Sequence, residues 1–180
     1  MSWNDYYRRR DVIDTALRQA RHDPQAALRF AEIEGAEELF GSEENLLLAM
    51  HYRWLQALTG RLRAEVAGPE DAAGVPGGGE DDHLEAVSRA WRATVRDNAT
   101  LRAVLDAHID RHPALRRAHE AELRMLATTA GLAEPGEPQD EVTAVGNAFL
   151  SLLRARSAHL TAPRRTNPVG QLLRKLAPAS

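Results

Sequence analysis

The chain has 180 residues, 43% of them hydrophobic, a formal net charge of -3 and no cysteine. That length and apolar content suit a single domain with a real core, exclude a disordered chain, and leave no disulfide or thiolate chemistry. The weak negative balance gives no overall attraction to nucleic acid or to anionic membranes, so any such binding has to be local.

No apolar run approaches the roughly 18 residues of a spanning helix. Met1-Ser2-Trp3-Asn4-Asp5 lacks the charged and apolar regions of a signal peptide. No membrane partner is expected, and the cytoplasm is the expected compartment.

Asp5 is placed to cap a first helix that ends near His22, ahead of Asp23-Pro24, where proline restricts the preceding residue. Tyr6, Ile13, Leu17 and Ala20 form its apolar face. Arg8, Arg9 and Arg10 interleave with Asp5, Asp11 and Asp14, which reads as an ion-paired solvent face rather than a phosphate patch. Over residues 25–40, Leu28, Phe30, Ile33, Leu39 and Phe40 are irregularly spaced around Gly35, predicting two short helices or turns. Between Pro24 and Glu44 the acidic residues Glu32, Glu34, Glu37, Glu38, Glu43 and Glu44 stand against a single basic one, Arg29, so this segment repels phosphate.

Ser42 caps the next helix, with Glu43 and Glu44 in the first turn, where carboxylates favour the positive end of the helix dipole. Leu47, His51, Trp54, Leu58 and Leu62 recur at steps of three and four, flanked by Leu48, Met50 and Leu55. The stripe is wide enough to require covering on two sides, and the helix runs to Val66, about 37 Å at about 1.5 Å per residue. Residues 67–82, rich in Gly, Pro and acid, read as a flexible loop.

Beyond the loop, Leu84, Val87, Trp91 and Val95 mark a helix over about residues 82–97. Asn98 reads as the cap of another, with Leu101, Val104, Leu105, His108, Ile109 and His112 on its stripe. Pro113 suits the first turn of a third, carrying Leu115, His119, Leu123, Leu126 and Ala130 and stopping at Gly131. Asp140 and Glu141 open the last strong helix, with Val142, Val145, Phe149, Leu152 and Leu153 on one face. Gly146 and Ala148 allow a neighbouring helix to approach closely. Residues 161–180 form a basic tail with Arg164, Arg165, Arg174 and Lys175. The fold class is therefore all-α, a helical bundle with a short N-terminal part (1–45) and a larger one (46–160).

A first helix, a short helical region, and then Leu39-Phe40-Gly41-Ser42-Glu43-Glu44-Asn45-Leu46-Leu47-Leu48-Ala49 leading a long helix resembles the tetracycline-repressor (TetR) family of transcriptional regulators. Phe40, Ser42, Glu44, Leu47 and Leu48 match that family's motif, and Glu43 stands where Lys is usual. The resemblance implies an all-helical homodimer with an N-terminal helix-turn-helix and a larger part that binds a small-molecule effector. It also implies dimerisation through the last two long helices, here through Leu115, Leu123, Leu126, Val142, Val145, Phe149 and Leu152. Between Ile33-Glu34-Gly35-Ala36 and Phe40 about two helical turns of the family pattern are missing. The segment offers glutamates where a recognition helix presents donors or cations, which leaves DNA as an open question.

His51, His108 and His119 lie on the apolar stripes of three different predicted helices. With Trp54 and Trp91 they are the candidate ligand-binding residues of an interior site, since imidazoles in an apolar pocket can orient an effector. Each also admits the plainer reading of a core histidine with one partner. His108 and His112 have the spacing of two ligands on one helical face, but Pro113 disturbs that geometry. No HExxH or paired ExxH spacing is present, so no metal and no cofactor are assigned. Glu120, Glu122 and Glu141 read as exposed helix positions. With no serine elbow, phosphate loop or cysteine, no catalytic residue is assigned and an enzyme is not expected. The alternative to a regulator is a helical protein-interaction module without DNA or ligand.

Overall fold

A computed structural model describes residues 3–26, 28–66 and 80–161. Most of the expected loop 67–82, and the expected basic tail beyond residue 161, lie outside the described residues. The described chain forms α1 (Trp3–Gln19), α2 (Ala36–Phe40), α3 (Glu43–Val66), α4 (Glu80–Asp97), α5 (Ala99–His108), α6 (Pro113–Thr129) and α7 (Gln139–Thr161). Single 3-10 turns lie at Phe30–Glu32 and Ile109–Arg111. No strand occurs among the described residues, and the architecture is the expected all-α bundle.

The wide stripe of α3 explains its place. Leu46, Leu47, Met50, His51, Trp54, Leu58 and Leu62 are all buried, which occupies more than one side of a helix. The side chains that cover it come from α1, α2, α4, α5 and α6, and α7 packs mainly on α6. One buried cluster accordingly runs from Val12 and Ile13 of α1 through α3 to Leu150 and Leu153 of α7.

The entry to α3 is fixed by local hydrogen bonds. Gly41, at φ 71°, closes α2 with its N–H on the Glu37 carbonyl; that left-handed backbone strongly favours glycine. Ser42 Oγ accepts the Asn45 N–H at 3.2 Å, as an N-cap should, and Asn45 Nδ2 donates to the Phe40 carbonyl at 2.8 Å. The Glu44 carboxylate accepts the backbone N–H of Ala114 at 2.8 Å, so the first turn of α3 caps the first turn of α6.

Several local expectations are corrected. α1 begins at Trp3, which puts Asp5 in its first turn rather than at the cap, and it ends at Gln19. Downstream, Asp23 Oδ1 takes the N–H groups of Gln25 and Ala26 and commits that segment to a turn. Tyr6 is exposed, because α1 is buried only from Val12, Ile13 and Ala16 onward. Asn98 occupies the N-cap position of α5, but its side chain donates back to the Thr94 carbonyl. The larger correction concerns the expected dimer face. Leu115, Leu123, Leu126, Val142 and Phe149 are buried within this chain, because α6 packs between α3 and α7 of the same molecule. Val145 is half-buried and Leu152 is 69% exposed.

α6 and α7 approach closely at Gly146. A Cβ on Gly146 would meet the Leu123 carbonyl, only 2.6 Å from its carbon, and backbone cannot rotate away. Gly146→Ala should therefore push α7 off α6 and cost about 1–3 kcal/mol, the usual scale of overpacking. Gly60→Ala is the control, since nothing lies within 4 Å of its Cβ position in the middle of α3. It should instead stabilise by about 0.5–1 kcal/mol through helix propensity. Urea denaturation of the two variants measures both signs.

Candidate functional site

The core of the bundle contains a carboxylate. Glu122 lies on the same face of α6 as Leu115, His119 and Leu126 and is 1% exposed. An ionised carboxylate at such a position is costly unless its lone pairs are filled. They are. Oε1 accepts Trp54 Nε1–H from α3 and Arg102 Nη1–H from α5, both at 2.8 Å. Oε2 accepts from His51 Nε2 at 3.1 Å and from His119 Nδ1 at 3.2 Å. Because a carboxylate only accepts, the two imidazoles carry their protons on those nitrogens. Burial alone would raise the Glu122 pKa, but hydrogen bonds from His119 and His51 and the Arg102 charge outweigh it and hold it well below the ordinary carboxylate value.

Arg102 is buried with Glu122. Desolvation would lower its pKa, but the charges of Glu122 and Asp106 raise it. Its Nε and Nη2 both donate to Asp106 Oδ1, at 3.0 and 2.6 Å, and its guanidinium lies 5.1 Å from the Trp54 ring centroid. Asp106 Oδ1 also accepts Arg154 Nη2 from α7 at 2.7 Å. Charges alternate from Glu122 at the centre through Arg102 and Asp106 to Arg154 at the surface.

Three of the five candidate ligand-binding residues, His51, Trp54 and His119, are thus brought together on one carboxylate. His108 is not among them. Its Nδ1–H donates to the Val104 carbonyl at 2.8 Å, and its buried Nε2, without a hydrogen-bond partner, lies 3.9 Å from Glu43 Oε1. His112 approaches the same oxygen at 3.6 Å, with the two rings stacked at 6.3 Å. α5 has already ended at His108, and His112 is extended ahead of Pro113, so the two side chains do not share one helical face, in keeping with the disturbance expected from the proline. Trp91 is also buried, but its indole N–H has no partner and no hydrogen bond ties it to Glu122.

No protein-family model, curated protein or solved structure matches the chain. The site therefore stands on its own geometry.

Sequence reasoning missed Glu122 and Arg102. Glu122 read as an exposed acid, yet residues 115, 119, 122 and 126 share one helical face, and the His119-x-x-Glu122 spacing puts both side chains over the same point. Arg102 likewise falls three residues before Leu105 on the buried side of α5. A charged residue on an apolar stripe was the available signal in both cases.

Two outcomes follow from the buried charge. Glu122→Ala should cost about 3–5 kcal/mol, the scale for breaking a buried pair, because Arg102 stays inside without its main counter-charge. The double variant Glu122→Leu/Arg102→Met should lose less than Glu122→Leu alone, which chemical denaturation can resolve. The pH dependence has a definite sign: a carboxylate depressed on folding contributes stability above its unfolded pKa, near 4.5, and loses it as pH falls toward the lower folded value. Acid unfolding should accordingly be less steep in Glu122→Gln than in the parent.

Proposed function

We propose that the protein is a cytoplasmic, TetR-like regulatory dimer, or a binding protein derived from one, that senses a small ligand in its helical core and catalyses no reaction. The observation that supports this reading is the convergence of His51, Trp54 and His119 on Glu122. An apolar set of the same volume would hold three helices together as well or better, so a polar centre costs stability that a binding role would justify. Operator reading is not part of the proposal. α2 has five residues and carries Glu37 and Glu38, too short and too acidic to occupy a major groove.

With most of the expected interface residues buried, the dimer would use the outer face of α7. Val145, Ala148, Leu152 and Ala155 fall on one side of that helix, the first half-buried and the other three exposed. A two-fold pairing of such a stripe would bury Leu152 against its symmetry mate. Light scattering at micromolar concentration should give twice the monomer mass, and Leu152→Glu should return the monomer. A parent protein that stays monomeric contradicts the dimer.

Fluorescence anisotropy with duplex DNA tests the other half. No saturable binding is expected at physiological salt, and any low-salt binding should weaken with the arginines of α1. Tight, sequence-specific binding to a palindromic promoter fragment would overturn this part of the reading. A protein-interaction module is the second reading, favoured by the cleft between α1 and α3. It is lined by Tyr6, Arg9, Arg10, Phe40, Tyr52 and Arg53, with Tyr6 and Tyr52 more than half exposed.

A further inference from the structure

We propose that His51, His119 and Glu122 form a binding site for one divalent transition-metal ion of the zinc class, which deepens the ligand-binding reading above by naming the ligand. His51 Nε2, His119 Nδ1 and a Glu122 oxygen all lie within 4.8 Å of one another. The two N···O separations are 3.1 and 3.2 Å. A tetrahedral ion with bonds of about 2.0–2.1 Å sets its ligand atoms about 3.3 Å apart, so the two N···O separations already suit an ion, and the two imidazole nitrogens stand within 4.8 Å of each other.

The ligand set and its surroundings fit the same ion. Two imidazoles and one carboxylate make a donor set that suits zinc and its neighbours. All three ligands project from long helices, α3 and α6, whose packing fixes the ligand vectors. The carboxylate oxygen that would not bind the ion is already held by Trp54 and Arg102, the kind of outer support that orients a metal-binding carboxylate. The Arg102 charge, which would oppose a cation, is drawn toward Asp106 on its far side. On binding, the ion takes the place of the two N–H···O contacts, and each ring moves its single proton, by exchange with solvent, to the opposite nitrogen, so that the nitrogen facing the ion offers a lone pair. His119, with 12% of its side chain exposed, marks the side from which an ion enters and where a water completes the coordination.

His108, His112 and Glu43 serve as the comparison within the same molecule. Their nitrogens stand 3.9 and 3.6 Å from the shared oxygen. Both distances exceed hydrogen-bond length, so this group is more open than the one around Glu122.

Titration of the chelator-treated protein with Co2+ and then Zn2+ tests the site. One equivalent of Co2+ should give the visible absorption of a four-coordinate ion, Zn2+ should displace it, and the melting temperature should rise with Zn2+. His51→Gln and His119→Gln should each weaken binding about 100-fold or more, beyond what loss of an outer-shell partner does. His108→Gln and His112→Gln should leave it unchanged. Circular dichroism establishes that each variant is folded, and if His51→Gln is not, the less buried His119→Gln decides. Absence of the Co2+ spectrum, or a spectrum that survives in folded His119→Gln, overturns the site. So does stabilisation by an organic ligand but by no metal, lost in His51→Leu, although that result would leave the ligand-binding reading standing. Dimerisation and DNA binding are read by separate measurements and do not depend on this outcome.

Discussion

A single ionised carboxylate in the middle of an apolar core constrains the arrangement of the helices around it. Moving such a group out of water costs several kcal/mol unless every lone pair finds a donor. Glu122 finds four, from Trp54 and His51 of α3, Arg102 of α5 and His119 of its own helix. Each donor must come from a definite direction, so the carboxylate fixes the rotation of α3 and α5 about their axes and their level relative to α6. Leu and Met side chains in the same positions tolerate sliding far better. The hydrophobic cluster supplies the driving force for collapse, and the charged centre selects one packing from the many that cluster would permit.

A second set of constraints works at the start of α3. Phe40, Gly41, Ser42 and Asn45 make a self-contained corner, in which a left-handed glycine and two side-chain hydrogen bonds stop one helix and begin the next. Glu44 then reaches across to cap α6, and Glu43 faces His108 and His112. Glu43 stands where the resembled motif has lysine, and here a lysine would face two imidazoles across a largely buried gap. The acid suits this corner electrostatically, whatever the ancestry of the motif. The same residues that carry the resemblance are thus accounted for by the geometry of this chain alone.

The longer helices were legible in the sequence because they carry apolar stripes of helical period, several of them bounded by Pro, Gly or a capping residue. α3 is the clearest case, from the Ser42 cap to Val66, and Pro113 and Gly131 bracket α6. Positions at helix ends were less legible, since Asp5 and Asn98 are good caps by composition, but Asp5 falls inside the first turn and the Asn98 side chain donates back to the Thr94 carbonyl. Which face meets which helix was not legible at all for α6 and α7. Their stripes suit a partner helix equally well within the chain or across a dimer, and only the assembled bundle shows that Leu123, Leu126 and Phe149 are covered by the chain itself. Of the candidate site, the imidazoles and Trp54 stood out as polar or oversized groups on apolar stripes. Glu122 and Arg102 were harder to see, because a buried pair hides each member's cost: either residue alone looks exposed, and only the other explains why it is not.

The charged centre also has an outlet. Arg102 binds Glu122 with one nitrogen and Asp106 with two others, and Asp106 holds Arg154 of α7 at the surface. Arg154 lies between Leu152 and Ala155, two residues of the exposed stripe on α7. Of the two oxygens of Glu122, only Oε1 belongs to this relay, and Oε2 faces the imidazoles. An ion on Oε2 would replace the His51–Glu122 hydrogen bond by bonds that still tie α3 to α6, and would leave the path through Arg102 intact. Loss of the Glu122 charge would have the opposite emphasis: it would free Arg102 to turn wholly toward Asp106, where it competes with Arg154 for the same oxygen. Occupancy of the centre and its protonation would therefore act through different helices, α3 in the first case and α7 in the second, although both would act through one side chain.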